Sequence, residues 1–125
     1  MSIKNSIIIK LYNILIFFKL IMDFKTLKNN LIFGNKHQIS NRALAQCEAL
    51  YEKIKKEFEI EPYRLLFQDS CLQMKYINNE NSNVLYLEFS NNIIEAFVAG
   101  KTGLFSYREI TDDECLAKSI IAYAS

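Results

Sequence analysis

LEFSNNIIEAF, residues 87–97, decides the fold, because it predicts two β-strand arms joined at Asn91-Asn92. Asparagine tolerates the left-handed backbone conformation that a tight turn requires. With these two residues as the turn, Glu88 lies directly opposite Glu95. Like charges placed opposite each other on a sheet are destabilising, so this pairing requires an explanation.

The same hairpin separates its side chains into an apolar face and a mixed face. Leu87 then pairs with Ala96, and Leu85 pairs with Val98. A slip by one residue would scramble the separation, because successive strand side chains point to opposite faces. The apolar face consists of Leu85, Leu87, Phe89, Ile94, Ala96 and Val98. The register is therefore well specified, and the paired glutamates remain.

Runs of alternating apolar and polar residues flank this hairpin. The predicted strands are 71–77, 84–89, 93–99 and 104–110, with a further short edge strand at 63–68. Their linkers, NNENSN, SNN and GKTG, are rich in Asn and Gly, which favour tight turns. Connections this short make the strands sequential and antiparallel, which predicts a β-meander.

The outer hairpins close about their linkers in the same way. We expect Ile77 opposite Val84, and Ala99 opposite Leu104. These pairings extend the apolar face across four strands, which is large enough for helices to cover. The outer strands add to that face Leu72, Met74, Tyr76, Phe105 and Tyr107.

Two amphipathic helices flank the strands in the sequence. Ser40 is the predicted N-cap of a helix over residues 41–59. Thr111 and Glu114 are spaced as a capping box, which predicts the start of a second helix. The apolar stripes of the two helices consist of Leu44, Cys47, Tyr51, Ile54 and Phe58, and of Leu116, Ile120 and Tyr123. The predicted fold class is α+β: a helix, a four- to five-stranded antiparallel β-meander and a C-terminal helix, with the helices on one face.

The opposite face of the sheet brings charged and aromatic side chains together. We expect Gln73 beside Glu88, and Arg108 beside Glu95 as an ion-pair partner. Lys75 lies diagonal to Glu88 in the next row. The predicted partner-binding surface consists of Gln73, Lys75, Tyr86, Glu88, Glu95, Phe97 and Arg108.

Three interpretations of this surface are open. The first interpretation is a solvated face whose cross-strand ion pairs each contribute little to stability. Alternatively it binds a partner, because exposed Tyr, Phe and Arg are typical interface anchors. A third interpretation is chemical, since the close carboxylates of Glu88 and Glu95 could hold a divalent cation or share a proton. Arg108 competes with this last interpretation, and a flat sheet offers no evident cleft.

Other motifs of catalysis are missing from the sequence. GKTG, residues 100–103, lacks the upstream glycine of a phosphate-binding loop and lies in a predicted hairpin. His37 is the single histidine and has no acidic or cysteine companion nearby. Cys71 has no base near it. We therefore expect no catalytic residues, no metal ligands and no cofactor.

Composition and charge divide the 125-residue chain into two parts, an N-terminal arm over residues 1–38 and a single α+β domain over residues 39–125. Residues 1–36 contain six Lys against one Asp, a charge of +5, whereas residues 37–125 contain nine Lys/Arg against thirteen Asp/Glu, a charge of −4. An acidic body does not favour nucleic acid. The abundant Asn and Lys indicate an AT-rich coding sequence, so individual surface Asn and Lys residues are discounted.

The N-terminal arm is apolar but is interrupted by Lys10 and Lys19, so it does not match a membrane-spanning segment. Three interpretations of residues 1–21 are open: a translated upstream extension with Met22 as the true start, an amphipathic helix packed on the body or a partner, or a membrane-surface or membrane-spanning segment. Three cysteines at wide, irregular spacing indicate buried thiols in a reducing cytoplasm.

The strand sequences CLQMKY, VLYLEF, IIEAFV and FSYREIT, followed by the acidic-capped helix, resemble a class of small uncharacterised bacterial α+β proteins over residues 63–123. The resemblance implies no activity and no functional residue. It implies an accessory partner in a two-gene system, such as a toxin–antitoxin or defence module.

We expect a small non-enzymatic cytoplasmic protein-binding module, of the antitoxin, immunity-protein or defence-accessory kind. Its expected partner is a protein with a basic surface, such as the product of an adjacent gene. Two alternatives are a secretion-type chaperone acting as a homodimer, and a carboxylate- or metal-dependent hydrolase that uses Glu88 and Glu95. A membrane role is expected only through residues 1–21.

Overall fold

The structure, a computed structural model, describes residues 24–33, 40–90 and 92–125. The predictions made for residues 1–21, His37 and Asn91 therefore lie outside the described residues. Within the described ranges the chain forms an α+β fold built on one sheet. Its strands are β1 (Ile32–Phe33), β2 (Arg64–Gln68), β3 (Cys71–Ile77), β4 (Val84–Ser90), β5 (Ile93–Gly100) and β6 (Gly103–Glu109).

The strands lie side by side in the order of the sequence, from β1 to β6. β2 to β6 form the predicted antiparallel meander, and β1 pairs with β2 in parallel. Asn92 has a φ of 69°, the left-handed conformation expected of the turn between β4 and β5. The confirmed pairs include Glu88–Glu95, Leu87–Ala96, Leu85–Val98, Ile77–Val84 and Ala99–Leu104.

Three helices of the described chain lie on one face of this sheet: α1 (Phe24–Asn29), α2 (Asn41–Phe58) and α3 (Asp113–Ala124). The alternate apolar residues of β2 to β5 point towards them and are almost fully buried. The predicted stripes of α2 and α3 complete this core, with Cys47, Tyr51, Ile54 and Leu116 each at most 2% exposed. The other face of the sheet, called the open face below, is not covered by any described element.

The N-cap of α2 is confirmed, and that of α3 is displaced by one residue. The Ser40 hydroxyl accepts a hydrogen bond from the amide of Ala43 at 3.1 Å. At α3 the capping residue is Asp112, whose carboxylate accepts from the amide of Cys115 at 2.8 Å. The predicted capping box beginning at Thr111 is therefore wrong. A charged acceptor at the cap is favourable, because the N-terminal end of a helix has a partial positive charge.

Part of the predicted N-terminal arm packs against the body. Phe24 of α1 is 3% exposed and belongs to the core. Its ring centroid lies 5.7 Å from that of Tyr51. Residues 24–33 thus contribute a helix and a strand to the same fold as the meander.

One register prediction is wrong, and it concerns β6. Ala99 pairs with Leu104, but Val98 pairs with Ser106, so Phe105 is an extra residue without a partner on β5. This arrangement is a β-bulge. Because side chains alternate along a strand, all residues of β6 after the bulge lie on the face opposite to the predicted one.

The bulge brings Ile110, just after β6, to the covered side of the sheet. Its amide donates to the carbonyl of Ile94 at 2.7 Å, and its side chain packs against the core. If Phe105 instead paired with Val98, so that β6 had no bulge, Ile110 would lie on the open face. The cost is the exposure of Phe105 and Tyr107, which were predicted on the apolar face and are 54% and 53% exposed.

The loop between β3 and β4 caps the C-terminal end of α3 through its asparagines. The side-chain amides of Asn78, Asn81 and Asn83 each donate to the carbonyl of Tyr123, at 3.2–3.3 Å. Carbonyl groups in the last turn of a helix have no partner within the helix. Asn83 is 8% exposed, so its amide is a buried donor that needs these acceptors.

Candidate functional site

The open face presents two parallel rows of side chains that run across the strands. Strand pairing places successive members of each row opposite one another. The acidic row consists of Gln73, Glu88, Glu95 and Glu109. The aromatic row consists of Lys75, Tyr86, Phe97 and Tyr107.

Six of the seven predicted surface residues lie in these two rows. The exception is Arg108, which pairs with Ala96, a residue buried on the covered side. The bulge at Phe105 shifts β6 by one residue and turns Arg108 away from the open face. The predicted ion pair between Arg108 and Glu95 is therefore wrong.

Glu109 occupies the position on β6 that is predicted for Arg108, and Tyr107, predicted on the apolar face, lies in the neighbouring row of the open face. The sequence contains one signal for this arrangement, Ile110, which is apolar and lies two residues before the N-cap of α3. A residue at that point is best placed on the covered side. That requirement fixes Tyr107 and Glu109 on the open face by alternation.

The spacing of the three glutamates follows from the backbone hydrogen bonds. The amide of Ile110 bonds to the carbonyl of Ile94, so by alternation Glu95 and Glu109 form a non-hydrogen-bonded pair, in which side chains are closest. Glu88 and Glu95 then form a hydrogen-bonded pair, which is wider. The acidic row thus places Glu95 between two like charges.

Neutral donors satisfy two of these carboxylates. The amide of Gln73 donates to Glu88 at 3.0 Å, as expected for a close, non-hydrogen-bonded backbone pair. The hydroxyl of Tyr107 donates to Glu95 at 2.5 Å. This hydrogen bond raises the pKa of Tyr107, because the carboxylate disfavours a phenolate beside it.

The acidic row has no compensating cation among the described residues. None of the ion pairs in the described part of the chain includes Glu88, Glu95 or Glu109. Gln73 and Tyr107 supply hydrogen bonds but no charge. Because Arg108 lies on the covered side and Glu109 takes its place beside Glu95, the open face is more acidic than the sequence predicts.

The aromatic row supplies contact area beside the carboxylates. The rings of Phe97 and Tyr107 lie 5.0 Å apart between centroids, in a tilted arrangement. The ammonium of Lys75 lies 5.7 Å from the ring centroid of Tyr86 and 5.9 Å from that of Tyr63. Contacts of this kind between a cation and an aromatic ring are favourable within about 6 Å. The positive charge of the open face is thus held at the β2–β3 side, away from Glu95 and Glu109.

A shallow cleft of about 290 Å³ lies at one end of the acidic row. It includes Cys71 and Glu88 but not Glu95, so it does not bring the two predicted carboxylates into one pocket. Burial raises the pKa of the Cys71 thiol to about 11, which keeps it protonated and unreactive near neutral pH. The cleft therefore lacks an activated nucleophile. Its lining consists of Leu66, Gln68, Asp69, Cys71, Gln73 and Glu88.

The described residues contain no group of three or more His, Cys, Asp or Glu side chains placed to hold a metal ion. GKTG forms the turn between β5 and β6, where Gly100 pairs with Gly103, rather than a loop that opens a helix. Among the helices of the described ranges, none combines the length and apolar character required to cross a membrane.

No family model, curated protein or solved structure matches the chain. The rows of the open face are therefore the main guide to function.

Proposed function

We propose that the protein is a non-enzymatic protein-binding module whose open face binds a basic surface of a partner protein. The observation that carries this proposal is the acidic row, in which Glu88, Glu95 and Glu109 lie side by side without a described cation in ion-pair contact. Like charges opposite each other destabilise a sheet. A partner's Lys or Arg side chains would relieve that repulsion on binding.

The aromatic row supports the same function. Tyr86 and Phe97 are partly exposed, and Tyr107 is more than half exposed. Tyr and Phe are enriched at protein interfaces, where they supply much of the binding energy. Aromatic anchors beside a row of carboxylates suit a partner surface that combines apolar and basic side chains.

The charge of the domain supports rapid association with such a partner. Residues 37–125 sum to −4, from nine Lys/Arg and thirteen Asp/Glu. Complementary charge accelerates the encounter of two proteins and makes its rate dependent on salt. An antitoxin, an immunity-like protein or a defence accessory protein in the cytoplasm would act in this way, by occupying a basic surface of its partner.

Co-expression with the product of an adjacent gene tests the proposal. We expect the two proteins to copurify, and the Glu88→Gln/Glu95→Gln variant to lower the affinity by about tenfold or more, through the loss of two charges. The matched control is Glu48→Gln/Glu52→Gln, which removes the same charge from exposed positions of α2. Equal affinities of the two variants would contradict a role for the open face.

A further inference from the structure

The outer edge of β6 presents unpaired backbone groups. Ile110 bonds to Ile94 on β5, and backbone groups of successive strand residues point in alternate directions. The N–H and C=O groups of Tyr107 and Glu109 therefore point away from β5. No described strand pairs with β6 on that side. This edge can form main-chain hydrogen bonds with another extended chain.

The same strand exposes large apolar side chains. Leu104, Phe105 and Tyr107 are 59%, 54% and 53% exposed. Proteins commonly protect an edge strand with a bulge or with charges. Here the bulge interrupts only the first part of β6, and pairing with β5 is regular from Ser106 onwards. The regular part retains both its free backbone groups and an aromatic ring.

Charge identifies what would pair with this edge. The acidic row ends at Glu109, directly on β6, with Glu95 beside it on β5. A residue on an added strand opposite Glu109 would lie on the open face, next to this pair of carboxylates. A Lys or Arg there would meet two negative charges. Two residues along, the added strand would lie opposite Tyr107, whose ring favours a cation and whose hydroxyl bonds to the Glu95 carboxylate. The added strand should therefore carry basic residues at every second position.

The β6 strand of a second copy does not meet this requirement. Two β6 strands related by a twofold axis would place one residue opposite itself, with its neighbours exchanged. An axis at Tyr107 places Glu109 opposite Phe105, an axis at Arg108 places Glu109 opposite Tyr107, and an axis at Glu109 places it opposite itself. None of these registers brings a cation to Glu109.

We infer that β6 accepts an extended basic segment of the partner protein as an additional strand of the sheet. This inference rests on the proposed function and specifies how the partner is bound. Main-chain hydrogen bonds to Tyr107 and Glu109 would hold the segment, and alternate basic side chains would select it. Such strand addition is a general mode of peptide recognition.

The first test uses a defined peptide, acetyl-Lys-Thr-Lys-Val-Lys-Thr-Lys-amide. Its control has the same composition in blocks, acetyl-Lys-Lys-Lys-Lys-Thr-Val-Thr-amide. We expect the alternating peptide to bind more tightly and to slow hydrogen exchange of the Tyr107 and Glu109 amides by about tenfold or more, because these amides become hydrogen-bonded. Equal binding of the two peptides, or unchanged exchange of both amides, would overturn the inference.

The second test compares two substitutions at one position. Glu109→Gln and Glu109→Pro both remove the charge, but only proline removes the amide that points out of the sheet. Proline is tolerated at an edge when its nitrogen faces solvent, and circular dichroism with thermal melting checks that both variants fold. We expect Glu109→Pro to bind the alternating peptide about fivefold to tenfold more weakly than Glu109→Gln, the effect of losing one hydrogen bond.

The outcomes separate this inference from the proposed function. If the partner protein binds and Glu88→Gln/Glu95→Gln weakens it, but Glu109→Pro equals Glu109→Gln, the open face binds the partner without strand addition. If neither set of substitutions changes the affinity for the partner protein, the proposed function fails as well. A homodimer that Glu109→Pro dissociates would show that a second copy occupies the edge.

Discussion

Replacing Glu95 with Gln should stabilise the isolated protein while it weakens binding of a basic partner. Glu95 lies between Glu88 and Glu109, with each directly opposite it on a neighbouring strand. Gln has nearly the same shape, and its side-chain oxygen can still accept the hydrogen bond from Tyr107. The substitution therefore removes repulsion and leaves packing and hydrogen bonding in place.

The expected gain in the free energy of unfolding follows from the two like-charge pairs, Glu88–Glu95 and Glu95–Glu109. Like charges directly opposite each other on a sheet cost roughly 0.2–1 kcal/mol per pair, so two pairs set an upper limit of about 2 kcal/mol. Glu95 is partly exposed, and solvent screening lowers the interaction between exposed charges. We expect the free energy of unfolding to rise by about 0.5–1 kcal/mol in low salt.

Urea denaturation in low and high salt measures this change. The screening length falls from about 30 Å at 0.01 M salt to about 3 Å at 1 M, so the advantage of Glu95→Gln should shrink as salt is added. The control is Glu48→Gln, at an exposed position of α2 without an ion pair among the described residues. A destabilised Glu95→Gln variant, or a gain that is independent of salt, would refute the repulsion on which the proposed function depends.

Three further predictions concern the scaffold. Asn83→Ala should lower the free energy of unfolding by about 1–3 kcal/mol, because a buried donor to the carbonyl of Tyr123 is lost; a change below about 0.5 kcal/mol in urea denaturation would show that the neighbouring asparagines suffice. The backbone amide of Cys115 donates to the Asp112 carboxylate and lowers its pKa. The stabilisation by this carboxylate is therefore present above the unfolded pKa of about 3.9 and is lost as pH falls through the lower folded pKa. Asp112→Asn should therefore flatten the decline in stability below about pH 4, and an unchanged acid profile would contradict this role. Cys71, with a pKa of about 11, should react slowly with iodoacetamide at pH 8, because only about one thiol in a thousand is ionised; mass spectrometry showing labelling as fast as in the urea-unfolded protein would contradict this expectation.

The meander could be predicted from the sequence because burial enforces it. In β4 and β5 every second side chain is covered by helices, so any slip would expose Leu87 or Val98. The short loops leave no alternative to sequential antiparallel pairing. Both conditions are visible in one sequence, and the predicted register of this hairpin is confirmed.

The bulge could not be predicted, because β6 is an edge strand that the helices cover less. Its sequence alternates as if Phe105 and Tyr107 were buried, yet both are more than half exposed. What decides the register is Ile110, beyond the end of the strand, together with the position at which α3 begins. An alternation pattern within the strand does not contain that information, so Arg108 was assigned to the wrong face.

The asparagines of the β3–β4 loop are a second feature whose role could not be predicted from the sequence. The abundance of Asn in the chain indicates compositional drift, so the sequence alone does not mark any single asparagine as important. Asn83 is nevertheless buried and donates to the end of α3, 40 residues away in the sequence. Only the docking of the helix against the loop reveals that requirement. Composition alone does not separate a capping asparagine from a neutral one.

The bulge has a consequence for sequence alignment and for engineering by deletion. Phe105 is equivalent to a one-residue insertion, since the residues before and after it keep their partners on β5. A chain that lacks Phe105 would place Tyr107 and Glu109 on the same face as here. A gap at this position should therefore be neutral for the acidic row, whereas deletion of Arg108 would place Tyr107 and Glu109 on opposite faces. Relatives aligned without that gap would show a false glutamate at the position of Arg108.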